Sequence, residues 1–361
     1  MLGNVLLIIL LLFVTLNLSK DNIFFPYILE DNTYVEKRST NFNYENQFKY
    51  YINNETVSKF VQDTFNDLET YTCIKFKKEN TIFSKNGGFI FNGKTGDMED
   101  TNIKNNPIDF KVPYNCMNHE GCYRRQIFHF LSSRYSRKIS NYSSLKEKHQ
   151  LKSINSRFDF GSILFIKCDL QINDPLEQYY HKMCGFKNEF SFNDYKLLNS
   201  LYCQNECTYT CIPCQNGGYQ NPKFCDSCIC PPGYKGKYCE DINVSDTGCP
   251  KYNPLATKKK QTISVCGKQD CIFLLQAPRG YKIITEIEYT TSKYVIPCRI
   301  GDNINFKYHD DKGKSGISFC GFYENITLPG YSNELLVSYK GTKNAIALSF
   351  SYYTVFDDTE C

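Results

Sequence analysis

The chain has 361 residues, enough for two or three domains, and 42 basic against 38 acidic residues leave a net charge of +4. The basic residues are scattered apart from Lys258 to Lys260, which excludes the clustered footprint of a nucleic-acid-binding protein. Nineteen cysteines, eight of them from Cys203 to Cys239, argue against a reducing compartment and for a disulfide framework, and the odd count leaves at least one thiol over.

The first 19 residues carry an apolar run from Val5 to Phe13 that is too short and too terminal for a membrane span. They predict a secretory signal peptide cleaved near Ser19. The missing basic residue at the start and the poor cleavage site "LNLSK" leave an uncleaved signal anchor as the alternative reading. No second apolar run of membrane length follows, so no span is expected after signal removal. Residues 20–45 are polar, without a sustained period, and read as an N-terminal arm or linker. Then "FKYYI" predicts a strand, and Val57, Phe60, Val61, Phe65 and Leu68 share one face of a predicted helix. A second strand is expected around Ile74.

This order of strand, helix and "YTCIKF" resembles the opening of the astacin family of zinc metalloproteases. The segment "SFNDYKLLNSLYC", residues 191–203, resembles the family's closing helix and terminal cysteine. The resemblance implies an α+β, metzincin-type domain over residues 46–203, closed by a Cys73–Cys203 bridge, with zinc-dependent endopeptidase activity.

That activity needs the pattern H-E-x-x-H-x-x-G-x-x-H. Two histidines four apart leave one helix face, the glycine turns the chain, a third histidine completes the metal triad, and the glutamate takes a proton from zinc-bound water. Laid on this pattern, "GCYRRQIFHFLSSRYSR" puts Arg125 at the first histidine, Gln126 at the glutamate and His129 at the second histidine. In the ungapped register Ser132 takes the glycine and Tyr135 the third histidine. In a gapped register, glycine and third histidine are deleted. Guanidinium offers zinc no lone pair and an amide is no carboxylate base, so either register leaves His129 as the lone ligand. The family's S-x-M-x-Y turn is met by "FDFGSILFI", which keeps Ser162 and Ile163 but has Leu164 for methionine and Ile166 for tyrosine. No G-x-S-x-G nucleophile elbow appears, and the other histidines, His119, His149, His181 and His309, form no two-histidine helix face. Cys116 has no partner between Cys73 and itself and is expected to pair elsewhere, with Cys122 as one candidate.

From Cys207 the composition changes. "CIPCQNGGYQNPKFCDSCICPPGYKGKYCE" resembles an EGF-like module, over residues 207–240, which implies Cys214–Cys228 and Cys230–Cys239 bridges and joins Cys225 to either Cys207 or Cys211. From residue 249 to 361, short period-two segments ("CIFLLQAP", "YKIITEIEY", "NINFKYHDD", "ISFCG", "LLVSYKG", "AIALSFSYYTV") predict an all-β sandwich. "CIFLLQAPRGYKI" and "ISFCGF" resemble a CUB domain, which implies Cys249–Cys271 and Cys298–Cys320 bridges and leaves Cys266 and Cys361 over. Some CUB domains hold calcium on an acidic trio; Glu288, Asp302 and Asp310 are conceivable here, though ordinary surface acids are the better reading. The pairings of Cys168 and Cys184 stay open.

The sum is a secreted astacin-like protein, with EGF-like and CUB modules, whose zinc triad and catalytic glutamate are lost. No cofactor is expected, zinc only if the family activity is retained. The expected partners are extracellular or matrix proteins, and sequons at Asn54, Asn141, Asn243 and Asn325 are candidate glycosylation sites. The alternatives are an active zinc endopeptidase and a poorly folding, decaying gene product.

Overall fold

The structure is a computed structural model. It describes residues 46–357 except 85–86, 94–95, 97–106, 112–113, 140–152, 155–157, 302–303, 343–344 and the single positions 167, 170, 173, 186 and 300. The expected signal peptide and arm, Asn141, His149, Asp302 and Cys361 therefore lie outside the described residues.

The first unit opens with strand β1 (Gln47–Ile52), helix α1 (Glu55–Tyr71) and strand β2 (Lys75–Lys78), followed by β3 (Gly88–Phe91) and β4 (Ile108–Asp109). These four strands form one sheet in the order β2-β1-β3-β4, with every neighbouring pair parallel. Parallel neighbours need a crossover, and α1 supplies it between β1 and β2. Its buried stripe is Val57, Val61, Phe65 and Leu68, each at most 3% exposed, the spacing that puts side chains on one helix face. Phe60, expected on this face, is only partly buried and rests against the same core. Phe65 stacks on Phe76 at 3.9 Å between ring centres, which seats the helix on its own sheet.

Helix α2 (Glu120–Ile139) crosses this core. Cys122, Tyr123, Ile127, Phe128, Phe130 and Leu131 are all buried, and so are the polar Arg124 and Gln126, so its early turns are enclosed on several sides. Phe130 meets Phe89 of the sheet edge-on at 5.0 Å. The short pair β5 (Ser153–Ile154) and β6 (Gln171–Ile172), the single-turn α3 (Glu177–Tyr180) and helix α4 (Phe192–Tyr202) complete the unit. Ser191 caps α4 in a reciprocal capping box with Asp194. Cys73–Cys203 ties the end of α1 to the end of α4, while Cys116–Cys122 and Cys168–Cys184 close local loops.

Next comes a cystine-rich segment of two small antiparallel hairpins, β7 (Tyr219–Gln220) with β8 (Cys228–Ile229) and β9 (Tyr234–Lys235) with β10 (Asp241–Ile242). Its bridges are Cys207–Cys225, Cys214–Cys228 and Cys230–Cys239; Cys211, the other candidate for Cys225, is free and exposed. Tyr234 and Cys239 pack against Leu336 of the following sandwich. Gly233 sits at φ +100°, and a Cβ there would lie 2.5 Å from Leu336 Cδ2, so only glycine allows this approach.

The last unit is a sandwich of β11 (Gln261–Cys266), β12 (Asp270–Gln276), β13 (Tyr281–Thr291), β14 (Ile304–Lys307), β15 (Ile317–Phe319), β16 (Phe322–Leu328), β17 (Glu334–Lys340) and β18 (Ala347–Phe356). One antiparallel sheet runs β11-β18-β13-β16 and the other β12-β17-β14-β15. Alternating strand residues such as Ile283, Ile287, Phe306, Val337 and Phe350 fill the space between them. Cys249–Cys271 and Cys298–Cys320 are closed, and Cys266 is free and exposed.

The two large cores do not divide at residue 203. Phe158, Phe160, Phe165, Tyr180 and Cys184 belong to the hydrophobic cluster of the sandwich, while Ile163 belongs to that of the first unit. Phe160 stacks on Tyr180 at 3.9 Å, Tyr179 meets Phe319 at 5.6 Å, and the hydroxyls of Tyr180 and Tyr308 share a hydrogen bond. The Phe158–Phe165 turn therefore straddles both cores.

Candidate functional site

Arg125, Gln126 and His129 sit in the early turns of α2. Arg125 and His129, four apart, lie on one helix face and are both half-buried. Gln126 points into the protein at 6% exposure and donates from Nε2 to the Lys111 carbonyl at 2.5 Å, just beyond edge strand β4. A carboxylate in the same rotamer would set one acceptor against another. This backbone contact was not legible in the sequence, because Lys111 lies in irregular chain 15 residues away.

The helix does not turn where the ungapped register places the glycine. Ser132 is buried, donates its hydroxyl to the His129 carbonyl at 3.1 Å, and α2 runs on to Ile139. Tyr135 lies six residues past His129 on the same helix, roughly 9 Å along the axis; its side chain is outside the described residues. The other end of α2 is fixed by Arg124, buried beneath Phe190, which pairs with Asp67 at 2.5 Å and Glu120 at 2.7 Å. Tyr202 of α4 donates to the Leu131 carbonyl at 2.7 Å.

The turn holding Ser162, Ile163 and Leu164 is heavily supported. Asp194, 3% exposed, accepts from the Ser162 hydroxyl at 2.7 Å, the Ile163 amide at 2.9 Å and the Ser191 amide at 2.8 Å. Burial pushes its carboxyl up to about 6 against the pull of those donors. Lys187 donates to the Ser162 and Phe165 carbonyls, each at 3.1 Å, and desolvation lowers its ammonium to about 8.

The remaining histidines are dispersed. His119 precedes α2, and His181 pairs with Glu177 at 3.7 Å. His309 stacks on Tyr331 at 5.1 Å in the sandwich, where burial lowers it to about 3. Glu288 accepts from Ser349 and Ser351 on the first sheet, while Asp310 is exposed in the loop after β14 of the other. Among the described residues, no group of three or more His, Cys, Asp or Glu side chains is arranged to hold a metal ion. Of the sequons, Asn54 is half-buried before α1; Asn243 and Asn325 are exposed.

No family model matches the chain. Among curated proteins, it is 36% identical over 163 residues to zinc metalloproteinase nas-34 of Caenorhabditis elegans, covering 45% of this chain and 26% of the relative. Against zinc metalloproteinase dpy-31 of the same organism it is 30% identical over 182 residues, covering 45% and 30%. This chain is related to the astacin-family zinc metalloproteinases. A longer match to zinc metalloproteinase nas-37 of C. elegans is 20% identical over 327 residues, covering 82% of the chain and 41% of the relative. The chain thus spans about a quarter to under half of the length of these relatives. Among solved structures, the CUB1-EGF-CUB2 domain of human MASP-1/3 is 16% identical, covering 42% of this chain and 57% of that one, at a TM-score of 0.23. The full extracellular region of zebrafish Gpr126/Adgrg6 is 21% identical, covering 29% and 15%, at 0.24. Both TM-scores are too low to bear on the fold.

The chain combines a domain similar to these metalloproteinases with a β-sandwich. Eight bridges close among the described residues, and no helix there is long and apolar enough to cross a membrane.

Proposed function

We propose that the chain is a secreted, non-catalytic homologue of astacin-type peptidases, an extracellular binding protein whose contacts are made by an EGF-like segment and a CUB-like sandwich. The observation that carries this is the ligand helix itself. Where the family pattern needs two histidines, a glutamate and a turn, α2 has Arg125, Gln126 and His129 and continues straight through Ser132. These residues do not fit zinc: structural and catalytic sites use three or four protein ligands, guanidinium has no free lone pair, and Tyr135 is a helical turn and more away from His129. The amide of Gln126 is a hydrogen-bond donor to a backbone carbonyl, a structural task that a general base cannot share.

The scaffold around this helix is retained for a reason independent of catalysis. Asp194 and Lys187 hold the Ser162–Leu164 turn through backbone and hydroxyl groups, none of which needs a metal. Continuous cores on both sides of that turn support a chain that folds rather than a decaying product. The bridge pattern from Cys207 to Cys239 supports the EGF-like reading, and the two four-stranded sheets with their two bridges support the CUB-like one. Extracellular or matrix proteins are the partners this organisation suits, and the disulfide load supports secretion.

The competing reading, zinc endopeptidase, is what the relatives' names say of those proteins. Incubating the purified chain with a mixed quenched-fluorescent peptide library in added zinc separates the two. The expected result is no cleavage above a protein-free control. Cleavage that disappears in His129→Ala would overturn the proposal.

A further inference from the structure

Outside α2, the molecule has a cleft of ≈ 130 Å³ where its three parts meet. Its walls come from Gly161 and the Lys187–Phe192 stretch of the first unit, Pro232 of the cystine-rich segment, and Arg299, Lys307, Gly313 and Ser315 of the sandwich. That is room for about four waters or one small ion.

Two of these residues are lysines that are almost fully enclosed, Lys187 at 7% and Lys307 at 3% exposure. An ammonium has three N–H donors. Lys187 uses two of them, on the Ser162 and Phe165 carbonyls, and Lys307 uses one, on the Lys312 carbonyl at 2.7 Å. Neither ammonium has a carboxylate within the 4.0 Å of an ion pair among the described residues. A buried charge without a partner costs several kcal/mol, and each lysine is pushed down to about 8 by that desolvation.

The acids around the cleft hydrogen-bond mostly to other groups, although the buried Oδ2 of Asp159 keeps no hydrogen-bond partner. Asp194 is committed to the turn and the α4 cap. Asp311 binds the Gly313 amide and Asn193. Asp159 accepts from the Gly161 and Ser315 amides through Oδ1; it acts on both lysines at longer range. The other nearby cation, Lys312, is used up on the His309 and Glu334 carbonyls. At the mouth, Arg299 and Glu189 are exposed. The lining itself thus carries three cationic side chains against the single carboxylate of Glu189.

We propose that this cleft is a binding site for a small oxyanion, a carboxylate or a sulfate- or phosphate-type group, held between Lys187 and Lys307 and guarded by Arg299. The carboxylates of Asp159, Asp194 and Asp311 act on the two lysines only at longer range; the ligand takes the unused ammonium protons directly, so it also clamps the first unit to the sandwich. Delocalised oxyanions suit this better than chloride, because two or more oxygens accept charge-assisted hydrogen bonds from separate donors at once. This inference does not depend on whether α2 is catalytic.

The test is thermal unfolding and calorimetric titration of the full secreted chain with sodium acetate, sulfate or phosphate, each against sodium chloride at matched ionic strength. At least one oxyanion is expected to raise Tm saturably above chloride. A response to acetate alone assigns a carboxylate, and a response to sulfate or phosphate assigns a tetrahedral group. Lys307→Met is expected to weaken binding by at least about tenfold, the loss of a hydrogen bond to a charged group. Arg299→Gln, at an exposed position, is expected to weaken it without changing the unliganded Tm. No oxyanion response beyond chloride, or equal binding by wild type and both variants, would overturn the proposal.

Discussion

Asp194→Ala is expected to destabilise the chain by about 3–5 kcal/mol, whereas Asp194→Asn stays within about 1 kcal/mol of wild type at pH 7. Alanine strands three donors, the Ile163 and Ser191 amides and the Ser162 hydroxyl, around a site that is closed to water. Asparagine keeps both amides satisfied and releases only the Ser162 hydroxyl proton. Both backbone amides bond to the same oxygen, Oδ2, which the asparagine carbonyl replaces. The Ser162 hydroxyl, bonded to Oδ1, can rotate to accept from the new amide. The difference also has a pH signature. The Asp194 carboxyl is raised from 3.8 to about 6 in the fold, so the folded state holds its proton more tightly than the unfolded one. The stability that this proton contributes is fully present below 3.8 and is lost as pH rises through about 6. Asp194→Asn should lack that decline. Denaturant unfolding of the three proteins at pH 4 and pH 7 checks both statements, and equal losses for Ala and Asn would contradict the geometry.

Removing Cys73–Cys203 with two serines should cost about 5 kcal/mol by loop-closure entropy, against about 2 kcal/mol for the Cys116–Cys122 pair. The first bridge joins positions 130 residues apart, the second positions 6 apart. The large loop contains β3, α2 and the Ser162–Leu164 turn, so its release frees the whole route by which α2 reaches α4. Comparative denaturant unfolding of the two double mutants measures the contrast. Equal losses would mean that the first unit is held by packing on the sandwich rather than by its own closure.

Much of this architecture is written into local patterns. The α1 stripe and the strands β12 and β13 show helical or period-two burial because one face of each meets a core, whereas the inner strands β17 and β18 carry runs of consecutive buried residues. Strands β11 and β16 went unseen, and both are sheet edges. Of the seven residues of β16, only Ile326 and Leu328 are buried, so its alternation is too weak to register beside the Asn325 sequon. At the site, the replaced residues at 125 and 126 and the retained His129 are visible from sequence, and the absence of Gly or Pro from Cys122 to Ile139 is consistent with an unbroken helix. What local reading misses is tertiary. Nothing near Gln126 announces Lys111 as its partner, and nothing near Phe158, Phe160 and Phe165 says that a sandwich more than a hundred residues later will cover them. The oxyanion cleft is hidden for the same reason, since Lys187 and Lys307 are 120 positions apart and become neighbours of one space only when both cores have formed.

On the proposed function, α2 keeps its place in the fold without holding a metal. Elemental analysis of the purified secreted chain, after equilibration with zinc and desalting, tests it most directly, with His129→Ala as the matched control. Zinc at background in both proteins is the predicted result. Near-stoichiometric zinc in the wild type that disappears from His129→Ala would contradict it, and would mean that His129 is joined by ligands that the Arg125–Tyr135 register does not identify.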